Sequence, residues 1–492
     1  MKELKKTFDS NKKLGIRMIS EHFVNCYNIK TIKEGVPEMY YYKDGIYTRA
    51  EQQIERDLSE LLEQEYTVHH RNEIFNQIHA QTYVDRKEFN VDKYLINLNN
   101  GIYSLRTGAF FDHSPEHLFF TKMATDYDPE AKCEKLDAFF KQLLPLEDIL
   151  LLKQWFGYCL FRDYFIKKAI IMTGEKNTGK TTVIDVFTKV IGLDNVSGVS
   201  LQEMANDKFS IAGLYGKHVN IFDDMSASDV KDGGRFKMVT GKSPISAEYK
   251  HGNRFSFYNY AKLTFACNRI PSVEDNDDDA YFERWIVVKF TKTVTKPDKF
   301  LLDKIATPDQ LSGLLNDMII QLNKLIVNQE FSYNKDHKEI RAEMLRSGSP
   351  VASFTYDCLE EAIGNVMSKS DLHFWFSQYA RINNLPHMEI KKFGKELIKY
   401  ARYCTEGRNH AGKTWNNVKI NDEYRPILEK GATEDISNDE GGSGDNASGL
   451  PDSEGGQSIE TSGEISATNP ERTEEGNSDE DNELRGRLDE AI

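Results

Sequence analysis

Apolar and polar positions recur with two different periods along this chain, and the changes of period mark its parts. Tyr40-Tyr41-Tyr42-Lys43-Asp44-Gly45-Ile46-Tyr47 is an aromatic run, an Asp-Gly turn and a second aromatic run, the pattern of a β-hairpin. Leu95-Ile96-Asn97-Leu98-Asn99-Asn100-Gly101-Ile102-Tyr103 has the same form and predicts a second hairpin on an Asn-Gly turn. Residues 51–64 and 72–80 read as helices, and residues 135–161 as one or two more. Between residues 165 and 295, short apolar runs alternate with helical stretches. Residues 168–172, 217–222 and 261–266 are β runs of the doubly buried, parallel type. Residues 350–428 begin with helical patterns and end in the strand-like Trp415-Asn416-Asn417-Val418-Lys419-Ile420. Helices followed by a small hairpin suit a winged helix-turn-helix. No internal repeat is visible.

The charge balance changes the picture at the C-terminal end. The chain of 492 residues has a formal net charge of −15. Residues 431–492 hold 18 acids and 3 bases, which is −15, and residues 1–430 hold 60 of each and are neutral. A neutral body leaves room for a local basic channel. The C-terminal segment is rich in Gly, Ser, Glu, Asp and Asn and poor in large apolar residues, so it is expected to be disordered. The expected layout is therefore an α/β domain over 1–148, an ATPase domain over 149–340, a winged-helix domain over 345–428 and a disordered acidic tail over 429–492.

Two further features narrow the class. Six scattered cysteines with no C-x-x-C pair argue against a zinc ribbon or a disulfide framework and for reduced thiols. No apolar run is long enough for a membrane span, and the polar, Lys-rich N-terminus has no apolar segment of signal type behind it. No membrane partner and a cytoplasmic location, in host cytoplasm or nucleoid, are expected.

The sharpest chemical signal is Gly174-Glu175-Lys176-Asn177-Thr178-Gly179-Lys180-Thr181-Thr182, which fits G-x-x-x-x-G-K-[ST] between a β run and the apolar-periodic residues 183–191. Glycines let backbone N–H groups wrap phosphates, and a helix N-terminus favours their charge. Lys180 is expected on the β- and γ-phosphates of ATP, and Thr181 on Mg²⁺. Some 45 residues on, Val219-Asn220-Ile221-Phe222 leads into Asp223 and Asp224 at a strand end, where α/β sheets place ligand sites. Asp223 is the second expected metal-shell residue, and Asp224 is expected to orient the attacking water. A third strand ends in Asn268, whose amide can bond the γ-phosphate or that water, or can simply open the turn before Pro271. Arg284 precedes the apolar Trp285-Ile286-Val287-Val288 and can stabilise the transition-state charge of a neighbouring subunit's ATP. Its plain alternative is a salt bridge to Glu283 or to the acidic run of residues 275–279.

A phosphate loop, an acidic pair, a hairpin segment, a sensor Asn and an Arg, in this order, resemble the superfamily 3 helicases, an AAA+ branch of small DNA viruses, phages, plasmids and poxviruses. The chain is most similar to the helicase half of the phage and plasmid primase–helicase group, over roughly residues 35–428. Asn100-Gly101-Ile102-Tyr103-Ser104-Leu105 and His113-Ser114-Pro115 look like that group's helicase-associated domain. Phe236-Lys237-Met238-Val239-Thr240-Gly241 and Ala247-Glu248-Tyr249-Lys250 look like its motif between acidic pair and sensor. The chain departs from the group at Thr178, where Asn is frequent, and at Glu283, where a second arginine is frequent. The resemblance implies Mg²⁺-dependent ATP hydrolysis by a homo-hexameric ring that moves on single-stranded DNA and opens forked DNA, with a primase or polymerase as partner. No priming by this chain itself is expected, because the residues ahead of Gly174 match the helicase-associated domain. The alternating runs on either side of Lys250-His251-Gly252-Asn253 predict a hairpin with Lys250 and His251 at its tip. A similar Lys-His hairpin points into the channel of polyomavirus and papillomavirus helicases, which implies DNA binding by this pair. The alternative from another class is a P-loop ATPase acting as a DNA-binding initiator or switch without processive unwinding.

Overall fold

The computed structural model describes residues 1–34, 36–225, 233–250, 254–271 and 278–430. It contains two compact units that meet in the chain between Arg341 and Ala342. The acidic segment and His251 lie outside the described residues.

After a short opening helix (Lys2–Ser10), the first unit continues with α1 (Lys12–Tyr27), whose N-cap Asn11 accepts from the Leu14 N–H. Strands β1 (Lys30–Glu34), β2 (Val36–Lys43) and β3 (Ile46–Arg49) follow as an antiparallel meander. The β2–β3 turn pairs Lys43 with Ile46 around Asp44 (φ 50°) and Gly45 (φ 84°). Positive φ at both central residues is why Asp-Gly stands there. Helices α2 (Glu51–Leu62) and α3 (Val68–Thr82) bury Ile54, Leu58, Ile74 and Ile78 under this sheet.

The second hairpin, β4 (Leu95–Asn97) with β5 (Ile102–Ser104), differs from the sequence expectation in its turn. The Leu98 N–H donates to the Gly101 carbonyl at 2.8 Å, so Asn99 and Asn100 form the bend. Their amides are held by Asp126 and the Tyr127 carbonyl. Gly101 does not have positive φ. It is needed because a Cβ there would lie 2.5 Å from the Phe110 ring.

Helices α4 (Glu134–Leu143) and α5 (Leu146–Leu160) lead into a five-stranded parallel sheet. Its members are β6 (Ala169–Thr173), β7 (Val196–Ser197), β8 (Val219–Phe222), the later β11 (Lys262–Cys267) and β12 (Trp285–Lys289). Across the sheet they run β12-β6-β11-β8-β7. Every residue of β6 and β11 is buried, as the unbroken apolar runs require. Helix α6 (Lys180–Ile191) follows β6. Between β8 and β11 lies the antiparallel pair β9 (Ile245–Glu248) and β10 (Arg254–Phe257). Helix α7 (Pro308–Asn328) packs back on α5 and α6. One continuous apolar core runs from Ile96 through Trp155, Phe187 and Ile286 to Phe331. Lys153 staples α4, α5 and α7, donating to Asp137 at 2.7 Å and Asp317 at 2.5 Å. Cys133 donates to the same Asp317 at 3.2 Å. The single Lys153 ammonium bridges the two carboxylates and so ties the three helices together.

The second unit comprises α8 (Pro350–Cys358), β13 (Leu359–Ser368), α9 (Lys369–Ile382), α10 (Ile390–Tyr400), β14 (Thr405–Asn409) and β15 (Gly412–Ile420). Its sheet has the order β13-β15-β14, all antiparallel, over a core of Phe354, Phe376, Phe393 and Trp415. The helices and the final hairpin stand where the pattern predicts them; β13 was not foreseen.

Among the described residues no helix is long and apolar enough to cross a membrane. The six cysteines are free, five of them buried.

Candidate nucleotide site

The parallel sheet brings the predicted residues to one edge. The loop from Gly174 to Gly179 leaves the C-terminal end of β6 and enters α6 at Lys180. Gly174 passes so close to β12 that a Cβ would stand 2.3 Å from the Phe290 carbonyl oxygen. Asn177 has φ 60° and Gly179 φ 89°, left-handed positions that suit Asn and Gly. Asn at 177 rather than 178 is thereby explained, since position 177 carries the left-handed turn. Thr178 is buried and its hydroxyl donates to the Glu175 carbonyl at 2.9 Å.

Lys180 is 8 % exposed. Its ammonium donates to the carbonyls of Gly174 (2.6 Å) and Glu175 (3.0 Å). It also reaches the Thr178 hydroxyl (3.3 Å) and Asn268 Oδ1 (3.4 Å). Burial pushes its pKa down, and the carboxylate of Asp223 opposes that shift. Asn268 follows β11, next to the loop strand in the sheet, with Cys267 level with Thr173. Asp223 follows β8, one strand further out, with Phe222 level with Phe265. Thr181, on the first turn of α6, closes that gap and donates to Asp223 Oδ2 at 2.8 Å. Asp224 is exposed, has φ 58°, and its N–H donates to Asp223 Oδ1 at 2.8 Å.

These groups line a cavity of about 450 Å³ that includes Lys176, Asn177, Thr178, Gly179, Lys180, Thr181, Thr182, Asp223, Asp224 and Asn268. Glu175 contributes its carbonyl to the Lys180 ammonium. Cys267 and Asp298 line it too, and four apolar residues, Phe139, Val294, Pro297 and Leu301, were not foreseen. They supply an apolar wall and come from α4 and from the segment after β12, where no local pattern announces them. The Val294 N–H donates to the Asn177 carbonyl at 2.7 Å, which ties that wall to the loop.

Arg284 is not among these residues. It sits before β12, whose Trp285 is level with Ala169 at the start of β6, whereas the loop leaves after Thr173 at the other end. The strand between spans about 15 Å. Arg284 Nε donates to the Thr240 hydroxyl at 3.0 Å and its Nη1 to the Ala280 carbonyl. Neither Glu283 nor a described residue of the acidic run forms the salt bridge considered from sequence. Burial lowers its pKa. It lines a second cavity with Lys167, Lys168, Lys242 and His337.

Lys250 is exposed in the bend after β9. The β9–β10 pair is fixed at its base. Phe255 and Phe257 pack on Tyr215, and buried Asn259 donates to the Val239 and Ala261 carbonyls. Tyr249 stacks on Phe255 at 5.4 Å.

Residues 6–145 match the family described as D5 N terminal like, and residues 172–284 match a family of unknown function (DUF5906). A "Putative helicase" of Acanthamoeba polyphaga mimivirus is 24 % identical over 222 residues, 42 % of this chain and 22 % of that protein. A "Putative helicase" of Invertebrate iridescent virus 6 is 22 % identical over 376 residues, 63 % of this chain and 37 % of that protein. The chain is similar to these viral proteins at low identity. It spans between about a fifth and two fifths of the length of these curated relatives. The A-form apo structure of the NrS-1 C-terminal region aligns with TM-score 0.45 at 10 % identity, over 82 % of this chain and 100 % of that one.

Proposed function

We propose that this chain is an ATP-driven DNA helicase of the superfamily 3 type, with an AAA+ P-loop core and a winged-helix second unit, working as a ring hexamer on single-stranded DNA. The observation that carries the reading is the convergence of Lys180, the Thr181–Asp223 pair and Asn268 on one cavity. A hydroxyl and a carboxylate 2.8 Å apart are oxygen donors of the kind a hard divalent cation takes. Mg²⁺, when bound, supplies charge neutralisation on the β- and γ-phosphates. Thr181 and Asp223 would hold it.

The chain's own groups do the rest. Loop N–H groups at the start of α6 cradle the phosphates of ATP. Lys180 exchanges its carbonyl partners for phosphate oxygens and stays charged to do so. Asp224, exposed and turned outward by its positive φ, orients the attacking water. Asn268 reads the terminal phosphate beside Lys180. Arg284 stands at the far end of the sheet and serves the site of the next subunit. Lys250 and His251 grip single-stranded DNA. A primase or polymerase completes the replication machinery.

Lys180→Ala removes the buried cation at the head of α6 and abolishes ATP turnover, a loss of at least about 10²-fold. The test is the ATPase rate with and without single-stranded DNA, alongside native mass measurement. Turnover equal to that of the unaltered chain would sink the assignment.

A further inference from the structure

In the second unit, α10 has two opposed faces. Phe393, Leu397 and, one residue past its end, Ala401 are buried at 0 % exposure. At about 100° per residue, Lys391, Lys392, Lys395 and Lys399 fall within a single arc of about 100° on the other side. All four are exposed. No described acid lies within ion-pair distance of any of them. The one acid on the helix, Glu396, accepts from the Ser349 hydroxyl at 3.0 Å. Lys391–Lys395 and Lys395–Lys399 are i,i+4 pairs of like charge, which destabilise a helix that has no counter-charge.

The adjoining hairpin carries cations too. Arg408 on β14 stands directly opposite Lys413 on β15, both exposed. Like charges across a strand pair are also unfavourable. The four lysines of α10 thus carry exposed charge that no described acid pairs, while in the hairpin Glu406 supplies Lys413 with a counter-charge.

Their placement selects the occupant. α10 is the second of two consecutive helices, and the β14–β15 hairpin follows it directly. In helix-turn-helix units the second helix lies in the major groove. An α-helix with its side chains is about 10–12 Å across, and the groove is about 12 Å wide. The arc holds lysines and no Arg, Asn or Gln, the residues that read base edges in pairs. Lysines of this kind contact phosphates and carry no sequence information.

We propose that the lysine face of α10, with the Arg408–Lys413 hairpin beside it, is a sequence-independent site for double-stranded DNA, distinct from the single-strand grip. It extends the helicase reading by giving the chain a hold on unopened duplex, but it rests on the charges of this unit alone. Its test needs no ATP, so failure of ATP hydrolysis leaves it standing.

The experiment compares the full chain with its Lys391→Ala/Lys392→Ala/Lys395→Ala/Lys399→Ala variant, using a fluorescent mixed-sequence duplex of about 20 base pairs at rising salt. Each phosphate contact contributes about 0.9 to the slope of log Kobs against log[salt], so the variant loses about 3 to 4 from that slope. Its duplex affinity at low salt falls at least about tenfold. The matching Lys→Arg variant keeps both. Unchanged slope and affinity overturn the proposal. An equal loss for single-stranded and duplex DNA overturns the duplex assignment.

Discussion

Lys180 and Lys262 are both taken out of water, and their partners differ in what they can give up. The carbonyls around Lys180 belong to a loop at the mouth of a cavity, so a phosphate can replace them. Lys262 is wholly buried at the start of β11, donating to the Phe161 and Asp163 carbonyls over the face of Tyr158. Those contacts favour the ammonium, but burial outweighs them and brings the pKa from 10.5 to about 7. Between those values the unfolded chain binds the proton and the folded chain does not, so stability rises with pH. The gain is complete above the unfolded value, is lost as pH falls from about 10 to 7, and is flat below. Each pH unit climbed in that window adds up to about 1.4 kcal/mol. Thermal unfolding at pH 7 to 10 should therefore rise more steeply for the unaltered chain than for Lys262→Met. Parallel curves would show that the buried ammonium keeps its proton. His218 follows the same logic in the other class: burial first, then Arg162, press its pKa down to about 3, so it stays neutral as the partner of Cys159 and Thr121.

Elements were legible where a local period or spacing dictates them. The buried strands around the phosphate loop, α6, and the β9–β10 hairpin all follow from runs within a few residues of one another. β13 was missed because Gly364 and Asn365 break its alternation at a bulge between Glu361 and Val366, and half of its residues are exposed. The second hairpin's turn was misread because Gly101 answers to Phe110, a contact made by the next strand. The same division holds in the candidate site. The spacing of Lys180, Thr181, Asp223 and Asn268 is visible in the chain. The apolar wall of Phe139, Val294 and Leu301 is assembled from segments far apart and has no signature. The hairpin is the element on which translocation depends in the proposed reading. Asn259 and the Tyr215–Phe255–Phe257 cluster hold its base rigid, so a displacement at the base is carried to Lys250. The Lys250→Ala/His251→Ala variant should keep its ATPase rate without DNA and lose DNA stimulation and strand separation. A forked substrate opened at the normal rate by this variant would move the grip elsewhere, with α10 next in line.

For the whole molecule, the position of Arg284 sets the demand for a neighbour. An arginine about 15 Å along the sheet from the loop cannot reach the phosphates of its own site, yet it sits half-buried beside Lys168 and Lys242 with its Nε held by Thr240. In the proposed ring this end of one sheet would face the loop end of the next. Arg284→Ala should then bind ATP and lose about 10³-fold or more in hydrolysis. Mixed with Lys180→Ala at equal amounts, about a quarter of interfaces regain both groups, and activity returns. Mixed rings that stay inactive would place the arginine outside the reaction. The acidic C-terminal segment adds a second demand at this scale. Residues 431–492 carry the entire formal charge of −15, while the rest of the chain is balanced. In sequence the segment follows the part of the second unit whose helix α10 exposes its lysines. If its eighteen carboxylates compete with phosphate for those lysines, the competition is strongest where screening is weakest. Removing residues 431–492 should leave ATP turnover intact and tighten DNA binding at low salt. The gain should shrink as ionic strength rises, because salt weakens both competitors together. Equilibrium binding at roughly 50 and 200 mM salt separates the cases: a truncated chain with the affinity of the full one at both concentrations means that the segment does not touch the DNA sites.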